Sequence, residues 1–417
     1  MMGIGYGGIP LGVQDTGLKS CTIENISEGG LMEIISHNLN SLENIIDYNH
    51  RNGIRLFQIS WDLIPFGESP VDSFPWWEIC REDLARIKMK LQQARIRILM
   101  HPGKSVLLCS PDEEVLLQAV LQLNHRSDFL DSLGGSFANK IVLHVGETID
   151  GKKEAMARFI RNCSRLEGPV RQRLAIENDS SSWHVADVLK ISEALQVPVV
   201  FNNRHHRINP APVLKEESEW IRACALTWEE NDGPPIIRYS QKESASEGSS
   251  PAESIAIEDF LAFYQDLDPG LDLLLDVRDR NLSAVKCINC TTPALNIKLL
   301  EMEWSKYKYS VLENSHRAYQ EIRELLKDKK GYPAVPFYLL VESALTRRNR
   351  EGFVNAAQHV WGYFKYKATK QEKDLFLKVL GEYRQGNSTM EAIKEMLWEL
   401  TIRYEEKYLM DSYYFFL

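Results

Sequence analysis

No stretch of the 417 residues approaches the roughly 20 consecutive apolar positions needed to span a bilayer. Residues 1–11 also lack the basic start, apolar run and small-residue cleavage site of a secretory leader. The expected compartment is the cytoplasm, with no membrane partner. Cysteine is sparse: Cys21, Cys80, Cys109, Cys163, Cys224, Cys287 and Cys290 are an odd number scattered through a long chain, which excludes a disulfide-built fold and points to reduced thiols. No Gly-x-Gly-x-x-Gly follows the first strand candidate and no phosphate loop is present, so no nucleotide cofactor is expected. A positive balance is missing as well. The 49 Lys and Arg face 58 Asp and Glu, a net charge of −9, whereas a nucleic-acid binder ordinarily presents a basic face. The excess acid is N-terminal: residues 301–417 hold 19 basic and 17 acidic residues, leaving 30 against 41 in residues 1–300. Net charge does not describe local patches, and some of these carboxylates are candidates to surround a cation.

What is present is a globular composition, 44% hydrophobic and 26% charged, with a regular rhythm. Eight short apolar or β-branched runs read as strands: Met2–Tyr6, Arg55–Ser60, Arg95–His101, Lys140–Gly146, Arg173–Asn178, Val197–Asn202, Pro235–Ser240 and Asp272–Arg278. Between them lie helix-like segments such as Leu31–Arg51, Trp77–Gln93, Pro111–Leu133 and Leu214–Ala225, with apolar residues three and four apart. Eight strand–helix repeats in about 280 residues predict an α/β fold, a TIM (β/α)8 barrel. Residues 298–417 carry helical patterns only, so a C-terminal all-α extension of about four helices is expected after a barrel domain at 1–297. The small polar segment Gln241–Ser254 reads as an exposed loop after the seventh strand.

In such a barrel the reacting groups stand at the C-terminal strand ends, and here those ends are polar. Strand three closes with His101, strand four with His144, strand five with Glu177, strand six with Asn202 and then His205, strand seven with Arg238, and strand eight with Asp276. Imidazoles and a carboxylate from consecutive strands offer nitrogen ligands and an oxygen able to bridge cations, which is a metal-site pattern. Other signals are weaker. Cys287-x-x-Cys290, read as opening the last barrel helix, has no second pair to complete a zinc site and is expected to be an ordinary pair of reduced thiols. Trp61, Trp76 and Trp77 are expected to pack rather than to stack on bases.

The motifs LIPF (Leu63–Phe66), MHPG (Met100–Gly103), SPD (Ser110–Asp112), VLHVG (Val142–Gly146), AIEND (Ala175–Asp179) and VPVVFNNRHHRINP (Val197–Pro210) occur in this order. Together they resemble the UV damage endonuclease family over roughly residues 3–285, and the helical tail resembles that of the family's longer bacterial members. The resemblance implies a barrel related to the endonuclease IV type that uses divalent ions, commonly manganese with magnesium, cobalt or zinc as alternatives. It also implies a double-stranded DNA partner carrying UV lesions or other distortions. The implied reaction is a nick on the 5′ side of the photoproduct by metal-activated water, with the 3′-oxygen as leaving group. Carried over by position, His101, His144 and Glu177 are ligands of one metal, with His205, Asp276 and Asn202 at further ligand positions. Glu177, His205, Asp276 and Arg238 are the candidates for catalysis, and Tyr6, Lys104 and Ser105 for DNA contact.

The chain departs from that family pattern at several places. Asn202 stands where the family has aspartate, Arg238 where it has histidine, Asp276 where it has glutamate and Ile236 where a lysine is frequent. The rim-loop histidine is absent, with Glu253 the nearest acceptor, and Lys104–Ser105 replaces a Gln-Tyr pair that wedges into DNA beside the damage. An amide replaces a carboxylate poorly, and a guanidinium cannot ligate a cation. The first expectation is a metal-dependent DNA repair endonuclease, with reduced activity allowed for. The alternatives are a family member that binds damaged DNA without cutting it, and a barrel acting on a sugar, like those of the xylose isomerase type.

Overall fold

A computed structural model describes residues 2–20, 27–64, 75–103, 106–241, 251–293 and 296–417. The eight expected strand regions each form a four-residue strand: β1 (Ile4–Gly7), β2 (Leu56–Ile59), β3 (Arg97–Met100), β4 (Ile141–His144), β5 (Leu174–Glu177), β6 (Val199–Asn202), β7 (Ile236–Tyr239) and β8 (Asp272–Leu275). They close into a barrel in chain order, every neighbouring pair parallel, with β1 against β8. Helices between them cover the outside, as parallel strands require.

Successive side chains on a strand point to opposite faces, and this alternation sorts the barrel interior into three levels. Leu56, Leu99, Val142, Ala175, Val200, Ile236 and Leu274 form one buried apolar cluster inside the barrel. Gly5 joins the same inward set, in register with Leu56 and Leu274. A Cβ there would lie 1.7 Å from the Leu56 carbonyl oxygen, so only glycine fits. Two residues earlier along the strands the inward positions include the charged Arg97, Lys140, Arg173 and Asp272, which form a floor. Arg97 pairs with Asp272 at 3.0 Å, and its remaining donors reach the carbonyls of Asp232, Pro234 and Ala138. Lys140, itself fully buried, pairs with Asp232 and donates to the Gln172 carbonyl at 2.7 Å. The indole of Trp228 packs against the apolar layer and lies under the Arg97 guanidinium. Two residues later along the strands the inward positions are Gln58, His101, His144, Glu177, Asn202, Arg238 and Asp276. The polar layer at the mouth is therefore set by strand parity.

Sequence and structure differ at several elements. The segment read as one helix over Trp77–Gln93 is two, Trp76–Ile79 and Arg81–Ala94. The Leu214–Ala225 segment begins only at Glu217, where Glu216 and Glu219 form a reciprocal cap. A short helix at Asn203–Ile208, unseen in the periodicity, follows β6 directly. Cys287 and Cys290 do not open a helix but lie late in one spanning Asn281–Thr291. No disulfide joins the described cysteines. Trp76 is buried against Phe129 while Trp77 is half exposed, and Trp61 lies under the Arg126 guanidinium. No described helix is long and apolar enough to cross a membrane.

The chain divides into two compact units, Met1–Pro10 with Asp15–Ile288, and Leu11–Gln14 with Asn289–Leu417. The second unit contains seven helices among the described residues rather than about four: Ile297–Asn314, His316–Leu325, Ala334–Leu345, Arg350–Trp361, Lys370–Gln385, Met390–Arg403 and Lys407–Met410. Several begin at Ser315, Asn349, Thr369 and Thr389, whose side chains accept backbone N–H groups. At Ser315 and Asn349 the cap breaks a helical run without the Gly or Pro that marks a boundary in sequence. Their core gathers Phe353, Ala357, Phe364, Phe376, Leu380, Ile393, Leu397 and Tyr414.

The floor of the barrel supplies a prediction. Removing one partner of a buried ion pair leaves an uncompensated charge and costs about 3–5 kcal/mol. Arg97→Met is therefore expected to lower unfolding free energy in urea by about that amount, whereas the double variant Arg97→Met/Asp272→Leu recovers much of the loss. Equal stability of Arg97→Met and the parent protein would contradict the role given to this pair.

Candidate metal centre

Glu177 is the centre of the polar layer and is 1% exposed. It ends β5 in register with His144 of β4. Its two oxygens have different neighbours. Oε1 accepts a hydrogen bond from Asn202 Nδ2 at 2.8 Å and lies 3.6 Å from His205 Nδ1. Oε2 lies 3.2 Å from Arg238 Nε and 3.8 Å from His101 Nε2. The His101 and His144 rings meet edge to face with centroids 4.9 Å apart, and His144 and His205 are 5.5 Å apart. One ligand atom from each of His101, His144 and Glu177 can be chosen so that all lie within 4.8 Å of one another.

Burial and charge set the protonation of this group. Burial pushes the His101 imidazole down to about 3, and the Arg238 charge acts in the same direction while Glu177 opposes it. His205 is lowered too, again chiefly by burial. For Glu177 burial favours the protonated form, yet the Arg238 guanidinium and the surrounding imidazoles outweigh it and hold the carboxyl well below the usual carboxylate range. Glu177 is thus an ionised carboxylate beside the neutral rings of His101 and His205.

His205 and Asp276 are engaged by a residue that the sequence reading left without a role. Arg204 donates to Asp276 Oδ2 from Nη2 at 2.9 Å and from Nε at 3.2 Å, and its Nη2 lies 3.4 Å from His205 Nε2. The other ring nitrogen of His205 donates to the Asn178 carbonyl at 2.9 Å. Asn202 caps the Asn203–Ile208 helix, its Oδ1 accepting the His205 N–H at 3.0 Å while its Nδ2 donates to Glu177. Aspartate could fill the first role but not the second. It would set a like charge against Glu177, so the amide suits a layer with no cation between the two. Gln58 was also missed, although its place two residues after Leu56 was a usable signal. Its Oε1 accepts from Arg238 Nη2 at 2.7 Å.

The residues fit one cation better than several. His101 Nε2, His144 Nδ1 and Glu177 Oε2 are buried and make no hydrogen bond among the described residues, and a group buried in that state costs about 1–3 kcal/mol. The Gly103 N–H donates to His101 Nδ1 at 2.8 Å, which places the proton of the neutral ring on Nε2. For His101 to hold a cation through Nε2, that proton would have to move to Nδ1, at the expense of the Gly103 bond. Elsewhere in the layer the donor set is unsuitable: Asn202 offers an amide, Arg238 a cation, and His205 and Asp276 are both held by Arg204.

Above the layer opens a cavity of about 830 Å³ lined in part by His101, Arg238 and Asp276. Its charged lining is predominantly basic, with Lys19, Arg126, Arg238, Arg278 and Arg280 against Asp62 and Asp276. The acidic whole chain therefore has a basic cleft. Of the residues expected to touch DNA, Tyr6 is corrected: it lies on the outward face of β1, fully buried, its hydroxyl donating to Asn49 at 2.9 Å and its ring against Phe57. It has no surface to present to a duplex. Lys104 and Ser105 lie outside the described residues, as does most of the Gln241–Ser254 loop. Glu253 pairs with Arg278, and Ile236 belongs to the apolar layer.

A double-mutant cycle tests the pairing at the centre. In metal-free buffer at pH 7, Arg238→Met and Glu177→Gln are each expected to destabilise, and together to lose less than the sum, with a coupling of about 1–3 kcal/mol. Because the folded Glu177 carboxyl lies below its unfolded value, near 4.3, the ionised pair contributes fully at pH 7. The contribution disappears only as pH falls into the acid range. Additivity in urea unfolding at pH 7 would show that the two groups are not coupled.

The chain is similar to known proteins in sequence and in fold. The sequence model of the UV-endonuclease UvdE family matches residues 16–297, and that of a protein family of unknown function, DUF1722, matches residues 308–417. A UV DNA damage endonuclease of Clostridium perfringens is 29% identical over 389 residues, 91% of this chain and 92% of the relative. A UV-damage endonuclease of Schizosaccharomyces pombe is 28% identical over 278 residues, 63% of this chain and 45% of the relative. The crystal structure of SacUVDE superposes with a TM-score of 0.65 at 32% identity, covering 72% of this chain and 99% of that one. With the family match running through the whole set of strand ends that builds the polar layer, the chain belongs to the UV-endonuclease UvdE family.

Proposed function

We propose that the chain is a metal-dependent endonuclease that nicks double-stranded DNA on the 5′ side of UV lesions. The observation carrying this reading is the convergence of three buried ligand atoms without hydrogen bonds, from His101, His144 and Glu177, at the floor of a basic cleft. These three residues would hold one divalent ion, manganese first, with magnesium, cobalt or zinc as alternatives. Bound there, it would supply a Lewis acid for a phosphoryl oxygen and a water of lowered pKa.

The chain's own residues supply the rest. Lys19, Arg126 and Arg280 give the cleft its attraction for a phosphate backbone, which is the larger part of non-specific DNA affinity. The cavity is of a size that accommodates a drug-sized group, as an extruded nucleotide requires. A damaged base pair is cheaper to open than an intact one, which contributes to selectivity. Hydrolysis adds water across the P–O3′ bond: the water oxygen joins phosphorus and the 3′ oxygen leaves as a hydroxyl. Glu177 orients the centre. His205 and Asp276 reach a substrate only after Arg204 is drawn from them.

A second reading, binding of damaged DNA without cleavage, is favoured by one observation, the Arg238 guanidinium already seated beside Glu177. Nicking of UV-irradiated supercoiled plasmid with Mn²⁺ separates the two. Damage-dependent relaxation is expected, abolished by EDTA and by Glu177→Gln in a variant shown by circular dichroism to be folded. Retention of irradiated plasmid by folded parent protein with no nicking would overturn the enzymatic reading in favour of the second.

A further inference from the structure

The polar layer contains two carboxylates, Glu177 and Asp276, and each already has a guanidinium. Arg238 Nε is 3.2 Å from Glu177 Oε2, and Arg204 holds Asp276 Oδ2 with two donors at 2.9 and 3.2 Å. Two guanidiniums thus already face the two carboxylates before any ion enters. A guanidinium has five N–H groups in a fixed plane. Arg238 directs Nε towards Glu177 and an Nη2 hydrogen to Gln58, while its Nη1 has no hydrogen bond to a described residue. Its side chain also lines the cavity. An open guanidinium edge in a cleft, anchored on the opposite side by a carboxylate and an amide, is a pre-organised receptor for a phosphate oxygen.

We propose that this layer carries its own cations: Arg238 and Arg204 fill the charge positions beside Glu177 and Asp276, restrict the centre to a single divalent ion, and present Arg238 to a backbone phosphate in the cleft. The single ion rests on the function proposed above, whereas the Arg238–phosphate contact does not. The amide at Asn202 belongs to the same device, because it hydrogen-bonds to Glu177 where a third carboxylate would need a further cation.

Two measurements on the full chain test this. The first is Mn²⁺ binding at equilibrium, counted by elemental analysis, for the parent, Arg238→Met and the Arg204→Met/Arg238→Met double variant. One ion per chain is expected in the parent, with at least tenfold tighter binding in Arg238→Met and additional ions in the double variant. Two or more ions in the parent would overturn the restriction, and the parent count needs no variant to fold. The second is the salt dependence of binding to a short duplex carrying one pyrimidine dimer, measured in EDTA. Arg238→Met is expected to weaken binding roughly tenfold and to reduce the slope of log K against log salt by about 0.9, the value for one lost phosphate contact. Arg238→Lys, which keeps the charge, is expected to retain most of the slope. An unchanged slope in Arg238→Met would overturn the phosphate role. Absence of Mn²⁺ from the parent together with a reduced slope would remove the metal from the proposed function and leave the Arg238 contact standing.

Discussion

The mouth of this barrel depends on how one buried carboxylate is compensated. Glu177 has no access to solvent and stays ionised, a state whose cost in a protein interior is several kcal/mol unless paired and hydrogen-bonded. The compensation comes from two directions, a guanidinium beside Oε2 and an amide on Oε1. The composition of the whole layer follows. The residue at 202 must donate to Glu177, the residue at 238 must bring charge, and Gln58 must hold that charge in place. Asn202 and Arg238 are two parts of one arrangement rather than separate departures from the family pattern.

The same local balance of charge reconciles an acidic chain with the proposed binding of DNA. A net charge of −9 describes the sum over the surface, while the cleft concentrates Lys19, Arg126, Arg238, Arg278 and Arg280 within one cavity. Fields from clustered charges act over about 8–10 Å at physiological ionic strength, so a phosphate entering the cleft responds to its lining rather than to the distant acidic surface.

Much of this was legible in the sequence because a TIM barrel places its reacting groups at the C-terminal strand ends. His101, His144 and Glu177 each close a predicted strand, and strand parity in the structure turns them inward, two residues after Leu99, Val142 and Ala175. Tyr6 was misplaced although the same rule applied: glycines at 3, 5 and 7 mark the crowded inward face of β1, which turns Tyr6 outward onto Asn49. What the sequence could not convey was pairing between residues far apart in the chain. Arg238 and Glu177, or Arg204 and Asp276, meet only when the barrel closes, so the use of guanidiniums as resident charges had no local signature. The additional helices of residues 289–417 were hidden for a simpler reason, since side-chain caps at Ser315 and Asn349 start a new helix where the sequence has neither Gly nor Pro.

The central claim is that one cation and two guanidiniums share the mouth of the barrel. Anomalous diffraction from crystals soaked in Mn²⁺ tests it most directly. The account predicts a single peak among His101, His144 and Glu177, with Arg238 still against Glu177 and Arg204 still on Asp276. Peaks beside Asp276 or His205, with either arginine displaced, would contradict it.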